Sequence, residues 1–176
     1  MNIFILNTGR CGSSTFIKAC QHITNYSSAH ESLSTETGSL RFNYPPDHIE
    51  ADNRLSWLLG RLDKVYGNSA FYVHLKRNPE DTITSFSRRI DYGILKAFEQ
   101  GILMHEQHFI PASNIAADYI ETVEANIELF LKDKTNKLDV SLETVKADFT
   151  KFWEKINAQG HLSEALKEWG IHYNAS

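Results

Sequence analysis

Met1 to Thr15 reads MNIFILNTGRCGSST. A short apolar run, Asn2 to Asn7, opens directly into a turn with two glycines and three successive hydroxyl-bearing residues. The run fits a buried strand. Ser13 to Thr24 then has helical spacing, with Phe16, Ile17, Cys20 and Ile23 on one face. Gly9 and Gly12 let the backbone turn tightly and approach a ligand closely. The helix that follows aims its unsatisfied N–H groups and its positive dipole end into the turn, which makes an anion site. Arg10 adds a full positive charge, and Ser13, Ser14 and Thr15 add hydroxyl donors. Thr8 to Thr15 therefore suits a phosphate or sulfate group. A plain strand-to-helix turn would also need the two glycines.

The turn does not match the nucleotide triphosphatase formula G-x-x-x-x-G-K-[ST]. Gly9 and Gly12 are too close together, no lysine follows Gly12, and a magnesium-holding hydroxyl is not specified. A cysteine-based phosphatase loop needs an arginine at the far end of the turn, and the residues after Cys11 are GSSTFIK. Cys11 does lie at a helix N-terminus beside Arg10, a setting that lowers a thiol pKa. It still reads better as a small loop residue than as a nucleophile.

Further along, Tyr26 to Ala29 and Phe71 to Leu75 read as strands, and Lys137 to Leu142 as another. Ser32 to Asp52 is polar, contains Gly38, Pro45 and Pro46, and has no period, so it is expected to be irregular. Helical spacing covers Leu55 to Tyr66, with Leu55, Leu58, Leu59, Leu62 and Val65 in register. It returns over Ile94 to Met104, Asn114 to Lys132, Glu143 to Ala158 and Leu162 to Trp169. Asn78-Pro79-Glu80-Asp81 starts a helix running to about Ile90: a cap, a first-turn proline, then two acids near the dipole. Strands alternating with helices predict an α/β layer fold with a central parallel sheet. The aromatic residues Phe149, Phe152, Trp153 and Trp169 are expected in the core.

The 176 residues suit one domain, 1–176. The net charge of −4 argues against a broadly nucleic-acid-binding surface. Cys11 and Cys20 do not form a disulfide framework. No apolar run has membrane-span length, and IFIL is too short for a signal peptide, so a soluble, cytoplasmic protein without membrane partners is expected. The glycosylation patterns at Asn25 and Asn174 are set aside for the same reason. His105-Glu106-Gln107-His108 misses the H-E-x-x-H zinc pattern, no third ligand is evident, and no metal site is expected.

Ligands in such folds bind at the carboxyl ends of the strands, and a second motif falls at that edge. HLKRNPEDTITSFSRR, His74 to Arg89, places Arg77 at a strand end and Ser85 on the next helix. Arg77, Pro79, Asp81 and Ser85 fit R-x-P-x-D-x-x-x-S, four identities expected by chance in about one chain in a thousand of this length. A capped helix accounts for Pro79 and Asp81, but not for a second cationic site at the edge that carries the Arg10 turn. Arg88 or Arg89, about a turn beyond Ser85, could assist it.

With these two stretches the chain resembles the sulfotransferases that use 3′-phosphoadenosine 5′-phosphosulfate. Thr8-Gly9-Arg10-Cys11-Gly12-Ser13-Ser14 is similar to the family's 5′-phosphosulfate loop, and Arg77 with Ser85 to its 3′-phosphate pair. The resemblance implies a three-layer α/β/α, P-loop nucleotide-kinase-like fold, that donor as co-substrate, no metal, and a small-molecule or carbohydrate acceptor. It also implies that the loop holds a phosphosulfate, which needs no magnesium-binding hydroxyl. Glu31, in Ala29-His30-Glu31-Ser32, stands where members that modify proteins or sugars carry a catalytic glutamate. Leu138 to Glu143 is similar to the family's late strand and acidic turn. The Arg-Lys-Gly loop of the hormone- and drug-conjugating branch is absent, as is that branch's tryptophan, where Thr15 stands. Adenine thus has no assigned stacking partner, with Phe16 nearby.

Sulfuryl transfer needs in-line placement and neutralisation of charge on the leaving group. Arg10 and the loop N–H groups can supply the second. Glu31 is the first candidate for the base that takes the acceptor's proton, His30 the second, and His48 a more distant one. A solvated turn acid is the plainer reading of Glu31. Two rivals share much of the pattern: a magnesium-dependent nucleotide or nucleoside kinase, and a non-catalytic module binding 3′-phosphoadenosine 5′-phosphate.

Overall fold

The structure, a computed structural model, describes residues 1–104 and 110–171. The His105–His108 stretch and Asn174 lie outside the described residues. Five strands, β1 (Ile3–Leu6), β2 (Ser27–His30), β3 (His48–Ala51), β4 (Phe71–Lys76) and β5 (Lys137–Ser141), form one sheet. Their order is β2-β3-β1-β4-β5, and every neighbouring pair is parallel.

Period-two alternation on β1 and β4 builds two cores, one on each face. Ile3, Ile5, Phe71, Val73 and Leu75 face helices α1 (Ser13–Cys20), α6 (Val145–Lys155) and α7 (Leu162–Lys167). There Phe16 packs edge-on against Phe149 and Phe152 at 5.2 and 5.1 Å between ring centroids. Phe4, Leu6 and Tyr72 face α2 (Leu59–Tyr66), α3 (Pro79–Ser87), α4 (Gly93–Gly101) and α5 (Ala112–Leu131). Each fully buried large apolar side chain contributes roughly 1.5–3 kcal/mol, so both faces are anchored without a disulfide. Cys11 and Cys20 are free and buried.

The structure corrects several local expectations. The segment expected to be irregular contains β3, whose four residues are all buried. His48 and Glu50 disguise it as a loop. They are tolerated inside because Ser27 Oγ meets His48 Nδ1 at 2.8 Å and His48 Nε2 meets Glu50 Oε2 at 3.0 Å. Buried polar groups persist when they are hydrogen-bonded. The helix expected over Leu55 to Tyr66 is instead a 3₁₀ turn, Asn53–Trp57, followed by α2. That break rotates the face, and Val65, expected to be buried, is exposed. Helices α1, α3 and α4 stop three or four residues earlier than expected.

The two glycines of the first turn share one backbone requirement. Gly9 (φ 90°) and Gly12 (φ 84°) both occupy the left-handed region. A Cβ on Gly12 would come to 2.9 Å from Leu142 Cδ1. The missing side chain at Gly12 thus also makes room for Leu142. Gly12→Ala combines left-handed strain with this clash and should destabilise the fold by about 1–3 kcal/mol, read as a lower urea midpoint at unchanged m-value.

Candidate functional site

Four carboxyl strand ends converge here: that of β1 with the Thr8–Thr15 turn, that of β4 with Arg77, and those of β2 and β3 with Glu31 and Asn53 beside them. The β1 turn is braced from below. Tyr119 OH donates to the Thr8 carbonyl at 2.6 Å, Gly9 N–H donates to Asn7 Oδ1 at 2.8 Å, and Ser56 Oγ donates to the Asn7 carbonyl at 3.0 Å. Thr8, Cys11 and Thr15 are buried, and Thr8 Oγ1 donates inward to the Gly9 carbonyl. Of the expected loop ligands these three can offer backbone N–H groups, while Arg10, Ser13 and Ser14 offer side chains. Cys11 is not an activated thiol: burial pushes it up to about 11, against the lowering expected from its place in the chain.

Helix α1 begins on Gly12 with no side-chain cap and no acid in its first turn. Its leading N–H groups and dipole face the turn, which favours an anion. Arg10 itself has φ 59°. Its Nε donates to Ser85 Oγ at 2.9 Å, and Arg77 Nη1 donates to the Arg10 carbonyl at 3.1 Å. The Arg10–Arg77–Ser85 constellation, spread over 75 positions of sequence, is thus a single cluster. Partial burial lowers the Arg10 pKa, and the nearby charges of Arg89 and Arg77 add to the lowering. Arg89, expected only as a possible helper, thus belongs to the same positive field.

Arg77 is held in place by its neighbours. Asn78 caps α3 through its side chain to Asp81 N–H at 3.2 Å, with Pro79 in the first turn. Glu143 Oε1 accepts from Asn78 N–H at 2.7 Å, joining the end of β5 to the Arg77 loop. Burial acts against the Glu143 charge, but hydrogen bonds from Ser141 and Asn78 prevail and hold its carboxyl below the ordinary value.

At the β2 end, His30 Nε2 lies 3.0 Å from Ser13 Oγ and 3.5 Å from Ser14 Oγ. His30 therefore touches the loop directly. Glu31 has φ 53° and pairs with Arg54 Nη1 at 2.9 Å. Its left-handed backbone is held by Glu31 N–H donating to the Ala51 carbonyl at 3.0 Å. Next to it, Ser32 donates to the fully buried Glu50 through both N–H and Oγ, at 2.8 and 2.6 Å. Glu50 thus fixes the turn that presents His30 and Glu31. His48, the distant candidate base, is buried within this support. Phe16, considered for adenine, is fully buried in the core.

Sequence reasoning missed Glu50, Asn53 and Arg54, because isolated polar residues in and just after a proline-containing segment carry no periodic signal. The alternation of buried Glu50 and Asp52 with Arg54 was the available hint. Among the described residues, no cluster of three His, Cys, Asp or Glu side chains is arranged for a metal ion, and no helix is long and apolar enough to cross a membrane.

The residues present fit a donor with phosphate at both ends of a ribose. One anion cradle stands at the α1 N-terminus, and an arginine–serine pair adjoins it at the neighbouring strand. No protein-family model matches the chain, and no curated protein does. Solved structures do. The sulfotransferase domain from the curacin biosynthetic pathway superposes with a TM-score of 0.64 at 14% identity, over 97% of this chain and 78% of that one. Mouse sulfotransferase SULT7A1, complexed with PAP, superposes with a TM-score of 0.56 at 17% identity. That match covers 96% of this chain and 63% of the mouse chain.

Proposed function

The chain has the sulfotransferase fold, and we propose that it transfers a sulfuryl group from 3′-phosphoadenosine 5′-phosphosulfate to a hydroxyl or amine acceptor. The observation that carries this reading is the joining of Arg10, Arg77 and Ser85 at the α1 N-terminus, at 2.9 and 3.1 Å, in that fold. The donor, when bound, supplies an activated sulfuryl group on its 5′-phosphate. Arg10, Ser13, Ser14 and the first N–H groups of α1 would hold the phosphosulfate. Arg77 and Ser85 would take the 3′-phosphate, with the charge of Arg89 in support. Glu31 would accept the acceptor's proton as the acceptor atom bonds to sulfur and the bond from sulfur to the 5′-phosphate oxygen breaks. Arg10 would then meet the charge left on that oxygen. His30, against Ser13, would orient the reacting groups or replace Glu31 as base.

The product 3′-phosphoadenosine 5′-phosphate should raise the melting temperature without added metal, since a ligand of the native state stabilises it by mass action. At one hundred times Kd the gain is about 2.7 kcal/mol, and EDTA should leave it unchanged. A shift seen only with ATP and magnesium would replace this reading with the kinase. A shift from the product, but no sulfation by the donor of any acceptor in a broad panel, would favour the non-catalytic module.

A further inference from the structure

Beside Glu31 a cleft of about 330 Å³ opens between the segment after β2, the Asn53–Trp57 turn, α2 and α4. Its wall carries three arginines, Arg41, Arg54 and Arg61, against one exposed carboxylate, Glu36, together with Trp57, Leu58 and Ile94. It adjoins the phosphosulfate loop through one element. The Asn53 end of the turn comes within 3.2 Å of where a Gly9 Cβ would stand, while Arg54 and Trp57 line the cleft.

The three arginines differ in what they still have to offer. Arg41 is buried and committed to Asp52, with its Nη1 donating to Tyr44 OH at 3.0 Å. Arg61 is exposed, donates one hydrogen bond to the Gly38 carbonyl at 2.7 Å and lies 4.7 Å over the Phe42 ring. No carboxylate among the described residues pairs with it. Arg54 stands between, with Glu31 at 2.9 Å and Asp52 at 3.7 Å from the same nitrogen, Nη1. A guanidinium carries five N–H donors in a planar fork. Arg54 and Arg61 together therefore retain donors directed by a fixed scaffold. Trp57 stacks on Tyr119 at 6.1 Å between ring centroids, which fixes the ring that it lends to the cleft wall.

We propose that this cleft is the acceptor subsite and that the acceptor is itself an anion: a hydroxyl- or amine-bearing molecule with a carboxylate, or an oxyanion of similar shape, bound by Arg61 and Arg54 beside Trp57. The proposal rests on the sulfotransferase reading. It gives the Glu31–Arg54 pair a role. An acceptor anion competes for Arg54, so the carboxylate that takes the proton is released when the acceptor's charged end is seated. Apolar Leu58 and Ile94, with the Trp57 ring, cover a flat or apolar body between the charged end and the reacting group.

The test uses the protein saturated with 3′-phosphoadenosine 5′-phosphate, so that the donor site is filled, and titrates benzoate and its neutral counterpart benzamide by calorimetry. Benzoate should bind saturably and benzamide at least about tenfold more weakly, the discrimination expected for a charge-assisted hydrogen bond. Arg61→Ala should weaken benzoate about tenfold. Arg61→Gln, which keeps side-chain bulk, should do the same. Both variants should keep the wild-type thermal shift with the nucleotide, which shows that they are folded. The proposal is overturned if benzoate does not bind, if benzamide binds equally, or if neither variant changes benzoate affinity. It is also overturned if anionic phenols such as 4-hydroxybenzoate are sulfated no better than 4-hydroxybenzamide. Failure of the nucleotide itself to bind would instead remove the sulfotransferase reading, an outcome separate from all of these.

Discussion

Glu31→Gln should lower sulfuryl-transfer turnover by about 10²–10⁴-fold, the usual worth of a positioned general base, while the affinity for 3′-phosphoadenosine 5′-phosphate stays within about twofold of wild type. The substitution keeps shape and removes only the proton acceptor. The backbone should tolerate it, because the left-handed turn at Glu31 (φ 53°) is held by the Ala51 carbonyl and by Glu50 acting on Ser32, not by the Glu31 side chain. The one contact at risk is the pair with Arg54 at 2.9 Å. That pair is partly exposed, and such pairs contribute little to stability, so the melting temperature should move by no more than a degree or two. His30→Ala supplies the contrast. His30 touches Ser13 and Ser14, and its loss should weaken the donor as well as slow the reaction. If Glu31→Gln turns over normally and His30→Ala loses 10²-fold or more with donor affinity intact, the base is His30 and the Glu31–Arg54 pair is structural.

Arg77→Ala should cost about 1.5–3 kcal/mol in binding 3′-phosphoadenosine 5′-phosphate, the range for a hydrogen bond to a charged group. That is roughly a 10- to 100-fold rise in Kd, measured by calorimetry. Adenosine 5′-monophosphate, which lacks the 3′-phosphate, should lose far less. The structure adds a reason why its loss need not be zero: Arg77 Nη1 also holds the Arg10 carbonyl at 3.1 Å, so the phosphosulfate loop loosens slightly. Ser85→Ala separates the two effects, since Ser85 accepts from Arg10 Nε at 2.9 Å and supports the side chain instead of the loop backbone. Equal losses for both nucleotides in both variants would mean that Arg77 and Ser85 shape the loop and do not read the 3′-phosphate.

The layer architecture was legible from residues 1–15 and 71–90. Apolar runs ending in glycine or proline punctuation mark strand-to-helix transitions wherever a parallel sheet is buried on both faces. The carboxyl-edge rule then places Arg10 and Arg77 together, although 67 positions separate them. Local chemistry also determined the α3 cap, since Asn78, Pro79 and Asp81 act within one turn.

Tertiary structure alone decided three things. It made β3 a strand, because His48 and Glu50 are acceptable in the interior only with Ser27 and Ser32 as partners, and those partners come from another strand and the turn beyond it. It made Cys11 inert, because burial outweighs the charge and dipole that its neighbours in sequence suggest. It also set His30 on Ser13 and Glu31 on Arg54. The sequence carries the types of these groups but not their distances. Distances across a sheet follow from strand order, here β2-β3-β1, and that order is fixed by which hydrophobic faces and buried hydrogen bonds can be satisfied together, a property of the whole chain and of no segment in it.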